Sequence, residues 1–133
     1  MTQLEPGLVQ LIVERLPDYQ PKIFPTAPPG NAATPHVTYL LVSKPGDPVL
    51  SGECKLQETR YQFDFWSRFD DEGLKTARIW ADQFRTLLSG FWGELPNGVC
   101  VNNIIFDDER TFMERDTRLH NIQQDYLIWY YLI

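Results

Sequence analysis

The chain has 133 residues, of which 43% are hydrophobic and 14% aromatic, and its formal net charge at pH 7 is −6. A chain of this length is expected to fold around one hydrophobic core, so we expect a single domain over residues 1–133. The acidic balance argues against a protein that holds nucleic acid by neutralising phosphates. No apolar run approaches the roughly 20 residues of a membrane-spanning helix. The N-terminal sequence MTQLEP lacks the features of a secretory signal, so we expect a cytoplasmic protein.

The first predicted element is a helix over residues 4–16, with Thr2 as a candidate N-cap. Its apolar residues recur at helical spacing but cover an arc wider than the stripe of an ordinary surface helix. Val9 and Val13 lie at the edge of this arc. We therefore expect these two valines to contact another subunit or a partner.

A proline-rich arm, PTAPPGNAATP, follows at residues 25–35. In polyproline form the ten residues after Pro25 would reach on the order of 30 Å, at about 3.1 Å per residue. Two interpretations remain open. The arm is either a strap across a sheet edge of its own or a neighbouring subunit, with Pro28 and Pro29 as contacts, or a crossover loop within the domain.

A strand is predicted over residues 37–43, followed by a turn, KPGDP, at residues 44–48. The clearest strand is RYQFDFWSRF, residues 60–69, because Tyr61, Phe63 and Phe65 alternate with polar residues. We expect these three aromatic side chains to form the core.

The next stretch, residues 69–90, predicts a helix with Asp70 or Asp71 as its N-cap and Gly90 at its end. Its apolar residues, including Leu74, Ala77, Phe84 and Leu88, fall on one side, which is typical of a helix packed on a sheet. Ile79 lies off this stripe and is a candidate contact with another subunit.

The C-terminal third predicts a strand over residues 99–106, a charged turn region over residues 107–118 and a last strand over residues 121–132. The last strand is apolar on both faces near its end, so Trp129 and Tyr131 should lie on the face away from the helices, where exposed aromatic residues mark an interface. The predicted fold class is α+β. It is a small mixed or antiparallel sheet with two helices on one face, in the order helix, strand, strand, helix, strand, strand.

No motif of an enzyme or cofactor site is present, and we expect neither catalysis nor a cofactor. Cys54 and Cys100 are far apart in sequence and are interpreted as buried reduced thiols. The acid-rich stretch DDERTFMERD, residues 107–116, is the best candidate for metal binding, because clustered carboxylates hold divalent ions. Interleaved arginines favour a solvated hairpin or a subunit contact instead. Its candidate contact residues are Asp107, Asp108, Arg110 and Arg115.

The order of these features resembles the tail-completion or tail-terminator family of long-tailed bacteriophages. The resemblance covers nearly the whole chain. It is carried mainly by FDFW, residues 63–66, where the family commonly has hydrophobic-Asp-hydrophobic-Trp, and by a closing strand of the DYLIWYY kind, residues 125–131. Neither motif is a catalytic signature.

The resemblance implies a structural virion protein, made in the bacterial host cytoplasm, that forms a ring on the head-proximal end of the tail tube. The ring is typically a hexamer, and it ends tube polymerisation and offers the head-side connector a joining surface. Its partners would be other copies of the chain, the tube protein and the connector, with DNA passing through the channel without specific binding and no membrane involved. Two alternatives stay open: another component of the head-tail neck, and a small metal-dependent nuclease.

Overall fold

The computed structural model describes residues 4–17, 22–25, 35–44, 55–68, 70–114 and 118–132. Two helices lie on one face of a single sheet. The helices are α1, Leu4–Arg15, and α2, Asp71–Leu88. The strands are β1, Ile23–Pro25; β2, His36–Ser43; β3, Lys55–Arg68; β4, Gly93–Glu94; β5, Cys100–Glu114; and β6, Leu119–Leu132. Neither described helix is long and apolar enough to cross a membrane.

Within the described residues the sheet has six strands, in the order β1-β2-β3-β6-β5-β4. The predicted small sheet of four strands is therefore wrong, because β1 and β4 extend it at its two edges. β1 pairs with β2 in parallel, and the other pairs are antiparallel. The two added strands have three and two residues, which is too short for an alternating pattern to mark them.

The predicted turn region over residues 107–118 is also corrected, because β5 continues as a strand to Glu114. The register of β5 against β6 shifts at two irregularities, one between Val101 and Asn103 and one between Phe106 and Asp108. A bulge adds one residue to one strand and so breaks the two-residue alternation that identifies strands in sequence. The charged residues after Phe106 thus belong to a long hairpin rather than to a turn.

β1 and β2 flank the proline-rich arm. They are parallel neighbours, with Ile23 opposite Val37 and Pro25 opposite Tyr39, and parallel neighbours need a return connection. Residues 26–34, including Pro28 and Pro29, lie outside the described residues, so the two interpretations of the arm both remain.

The core lies between the sheet and the helices, as the alternation in β3 predicts. Tyr61, Phe63 and Phe65 are buried. Phe84 of α2 contacts both Phe63 and Phe65 edge to face, with ring centroids 5.6 and 4.9 Å apart. From α1, the residues Leu4, Leu8, Leu11 and Ile12 join the same core.

The two ends of α2 follow the sequence signals. Asp70 is the N-cap, and its carboxylate accepts a hydrogen bond from the backbone N–H of Gly73 at 2.6 Å. Only glycine fits at position 73, because a Cβ there would collide with the carbonyl oxygen of Arg68. Just beyond the helix, Gly90 takes a φ of 79°, which favours glycine. The cap and the glycine fix where α2 begins and ends over the sheet.

We expect Phe63→Ala or Phe84→Ala to lower the free energy of unfolding by about 3 to 5 kcal/mol, because each empties a buried aromatic site. Denaturant unfolding followed by fluorescence measures this change. Ile79→Ala is the matched control, since Ile79 is 49% exposed and its loss should stay within about 0.5 kcal/mol. A loss under 1 kcal/mol in both phenylalanine variants would contradict this assignment of the core.

Candidate functional site

The face of the sheet turned away from the helices is here called the open face. Directly paired residues of antiparallel strands share a face, so the pairing of β3 with β6 identifies its members. From β3 they include Arg60, Gln62, Asp64 and Trp66, and from β6 Asn121, Gln123, Asp125, Leu127, Trp129 and Tyr131. The open face is therefore polar in its middle and aromatic towards the end of β6.

A row of alternating charges crosses the middle of the open face. Arg60 Nη1 lies 2.7 Å from Asp107 Oδ2 and 3.4 Å from Asp125 Oδ2. On the other side of Asp125, Arg110 Nη2 lies 3.3 Å from the same Oδ2, and Arg110 Nη1 contacts Asp108. Asp125 thus joins two guanidinium groups into one network of five charged residues.

The electrostatics of this row favour the charged form of both arginines. The hydrogen bond to Asp107 raises the pKa of Arg60, and the hydrogen bond to Asp108 raises the pKa of Arg110, in each case against a desolvation that lowers it. The three carboxylates are therefore engaged by cations. Over the described ranges, no group of three or more His, Cys, Asp or Glu side chains is arranged to hold a metal ion.

Asp64, within the FDFW motif, is a second buried carboxylate of the open face and, like Asp125, is only 8% exposed. Gln62 Nε2 donates to both of its oxygens, at 3.0 and 3.2 Å. Desolvation raises the pKa of Asp64, and the charge of Asp125 adds to this effect, while hydrogen bonds from Gln62, Asn121 and Gln123 oppose it. The polar middle of the face therefore contains an acid, Asp64, whose pKa is raised above that of an ordinary aspartate.

The aromatic end of the open face consists of Leu127, Trp129 and Tyr131, each half-buried, with Ile105 exposed beside Leu127. The hydroxyl of Tyr131 accepts a hydrogen bond of 3.0 Å from Asn102 Nδ2. The sequence assigned Trp129 and Tyr131 to this face, and the pairing of β6 confirms that placement. That Trp129 and Tyr131 contact another subunit stays a prediction.

The helix side of the molecule carries two apolar grooves. Val9 and Val13 line one of about 410 Å³, together with Gln10, Glu14 and Ile23. The second groove, here called the helix groove, has a volume of about 660 Å³. It lies between the end of α1 and the second half of α2, and its lining includes Arg15, Leu16, Ile79, Asp82, Thr86, Leu87 and Phe91.

The predicted contact residues thus fall into two groups on opposite sides. The open face carries the first group, with Asp107, Asp108 and Arg110 in its charged row and Trp129 and Tyr131 at its aromatic end. Val9, Val13 and Ile79 line the grooves on the helix side. Pro28, Pro29, Arg115 and Cys54 lie outside the described residues. Cys100 is a free, half-buried thiol rather than a fully buried one.

Sequence reasoning missed Arg60 and Asp125, which complete the charged row, and Gln124, which is fully buried on the helix side of β6. Gln124 Nε2 donates to the carbonyl oxygen of Ala81 at 2.9 Å and to Glu109 at 2.8 Å, and its Oε1 accepts from the Tyr126 hydroxyl at 2.7 Å. A polar residue between the inward apolar residues Ile122 and Tyr126 of β6 was the available signal for Gln124.

Comparison with known proteins gives one family and a fold. The family model described as Tail completion protein gp17 matches residues 9–131. A chain in a structure described as the virion of a native gene transfer agent particle is 14% identical with a TM-score of 0.62, and the match covers 83% of this chain and 78% of that one. A second solved structure, whose name gives no function, is 9% identical with a TM-score of 0.60, covering 99% and 98%. At these identities the likeness shows the fold alone. No protein of curated function matches the sequence.

The raised pKa of Asp64 predicts a pH-dependent cost in stability. Because the folded-state pKa lies above the ordinary value of 3.8, the folded state binds the proton more tightly, and stability is lost as the pH rises through the folded-state pKa. Asp64→Asn removes this titration, so its stability relative to the wild type should increase from pH 4 to pH 7.

Denaturant midpoints of both proteins across this pH range measure the effect. Asp82→Asn, at an exposed position of α2, is the control for removing one carboxylate. A stability difference for Asp64→Asn that is constant with pH, or that falls as the pH rises, would contradict the assignment.

The charged row predicts that divalent metals do not bind at Asp107 and Asp108, because Arg60 and Arg110 already occupy these carboxylates. Calorimetric titration with magnesium and manganese should give no specific heat of binding. A micromolar site that disappears in the variant with Asp107→Ala and Asp108→Ala would refute this and favour a metal-dependent nuclease.

Proposed function

Because the chain belongs to the family of Tail completion protein gp17, we propose that it is a non-catalytic structural protein of a bacteriophage tail, incorporated into the virion. It forms a ring, of six copies as the family resemblance implies, on the head-proximal end of the tail tube. There it ends tube polymerisation and offers a joining surface to the head-side connector. The observation that supports this proposal is the extent of the family match, which runs over residues 9–131 and so spans nearly the whole chain.

The distribution of surfaces fits a ring subunit. Each copy in a ring must contact two neighbours through two different patches, since a closed ring is built from heterologous contacts. The open face, with Trp129 and Tyr131, and the grooves lined by Val9, Val13 and Ile79 are two such patches on opposite sides of the sheet.

The charge of the chain fits a channel for DNA. With a net charge of −6, the subunit has no excess of cations to neutralise phosphates, and phosphate neutralisation is the main source of non-specific DNA binding. DNA would therefore pass through the ring without being retained.

We expect Trp129→Ala to separate folding from assembly. Trp129 is half-buried on the open face, outside the core between sheet and helices, and buried aromatic residues at interfaces cost about 2 kcal/mol or more per contact when truncated. The variant should keep the far-ultraviolet circular dichroism of the wild type but fail to form rings on purified tail tubes, as judged by native mass measurement and negative-stain imaging.

Trp92→Ala is the matched control, because Trp92 is 77% exposed and lies outside both patches, and it should assemble normally. If the Trp129→Ala variant unfolds, Trp129 belongs to the core. If the variant caps tubes normally, the subunit interface lies elsewhere on the molecule. A wild-type protein that binds the head-side connector but never the tube would refute tail termination and indicate another neck component.

A further inference from the structure

We propose that the end of the β5–β6 hairpin of one copy inserts into the helix groove of the next copy. The inserting residues, here called the hairpin knob, are Phe112 and Met113. The receiving residues are Leu16, Ile79, Leu87 and Phe91 of the helix groove. The inference rests on the proposed ring and names the contact that joins its subunits.

The hairpin knob is apolar on both faces. Phe112 pairs with Asn121 and points to the open face, whereas Met113 pairs with His120 and points to the helix side. Phe112 is 48% exposed and Met113 is 42% exposed. The subunit itself leaves much of these two side chains in water, and a contact with another molecule would bury that apolar surface.

The helix groove offers an apolar site of matching kind. Its volume of about 660 Å³ lies within the usual range of binding clefts. Ile79 is 49% exposed at its edge, although Trp80, Phe84, Leu87 and Leu88 of the same helix lie in the core or pack against it. A phenylalanine and a methionine suit such a cleft, since aromatic residues and methionine are enriched at the cores of interfaces.

The hairpin knob lies far along β5 from Leu87 and Phe91 of the helix groove, whereas the Ile79 end of the groove lies nearer to the knob, because Gln124, opposite Glu109, donates to Ala81 of α2. The backbone N–H of Gly90 donates to the carbonyl oxygen of Ile104 at 2.8 Å, which places the end of α2 beside Ile104. Ile104 lies opposite Ile128 and Phe112 opposite Asn121, seven residues away on β6. A strand advances about 3.3 Å per residue, giving a separation of roughly 23 Å. A knob and a groove on different parts of the same copy form a head-to-tail contact, the kind that closes into a ring.

Both sites carry charges of both signs, with exposed Arg118 on the hairpin besides Glu114, so ion pairs between the two copies are available. Glu114 directly follows Met113 and is exposed, while Arg15 lines the helix groove and Arg78 precedes Ile79 on α2. Asp82 also lines the groove, so the attraction is expected on the side of Arg15. For a chain of net charge −6, a contact between two copies needs such local pairing to offset the general repulsion.

Disulfide trapping tests the contact. Met113→Cys and Thr86→Cys are combined in a full chain that also carries Cys54→Ser and Cys100→Ser, and the protein is oxidised mildly on tail tubes. Both positions are exposed, so folding should be retained, which circular dichroism checks. Within one copy the two sites are too far apart to bond, since a disulfide requires Cα atoms within about 7 Å. We expect a ladder of covalent multimers that ends at the closed ring.

The matched control replaces Met113→Cys by Val42→Cys, because Val42 is similarly exposed, at 46%, but lies on β2. Proximity in the ring should give at least about tenfold more cross-linking in the Met113→Cys protein than in the Val42→Cys control, through the higher effective concentration of the two thiols. In a second arm, Ile79→Lys should remain folded and reduce the fraction of ring-bearing tubes by about tenfold or more, since a buried unpaired charge disrupts an interface.

Equal cross-linking in the two pairs would overturn the hairpin contact. If the wild type forms rings on tubes, the absence of a ladder or normal capping by the Ile79→Lys variant would also overturn the hairpin contact. The proposed ring would then stand without this contact. A wild type that forms no ring on tubes or in solution would refute the proposed function itself, and the hairpin contact with it.

Discussion

The pairing of β3 with β6 determines where every surface of this molecule lies. The two strands pair continuously from Lys55 opposite Leu132 to Arg68 opposite Leu119. Side chains alternate between the faces of a sheet, so a slip of one residue in either strand would exchange its two faces. Such a slip in β6 would turn Asp125 towards the core and Tyr126 towards the open face. The separation of a hydrophobic core from a charged row therefore depends on this one register.

The buried side chain of Gln124 makes hydrogen bonds inside the core that depend on the same register. It lies opposite Phe63 and is fully buried, yet its amide reaches the carbonyl oxygen of Ala81 in α2 and also contacts Glu109 and Tyr126. A buried amide that loses its partners costs roughly 1 to 3 kcal/mol. A shifted register or a displaced α2 would incur this cost, so Gln124 couples the helix, β5 and β6 in one arrangement.

The sequence predicted those elements that have a regular period and clear ends. The alternation around Phe63 identified the core face of β3, and Asp70 and Gly90 marked the ends of α2. The bulges in β5 concealed the rest of its hairpin, and β1 and β4 are too short to show a period. The charged row could not be derived at all, because Arg60, Asp107 and Asp125 are brought together only by the pairing of three strands, which no local pattern encodes.

The acidity of the chain has a consequence for the proposed ring. Copies that each carry a net charge of −6 repel one another in solution, and this repulsion works against any apolar contact between them. If the proposed ring forms on a tail tube, binding of several copies side by side would raise their effective concentration and offset that repulsion. Contacts too weak to hold a free ring would then suffice to close one on the tube. Repulsion between free copies would thereby restrict ring formation to the place where a ring ends the tube.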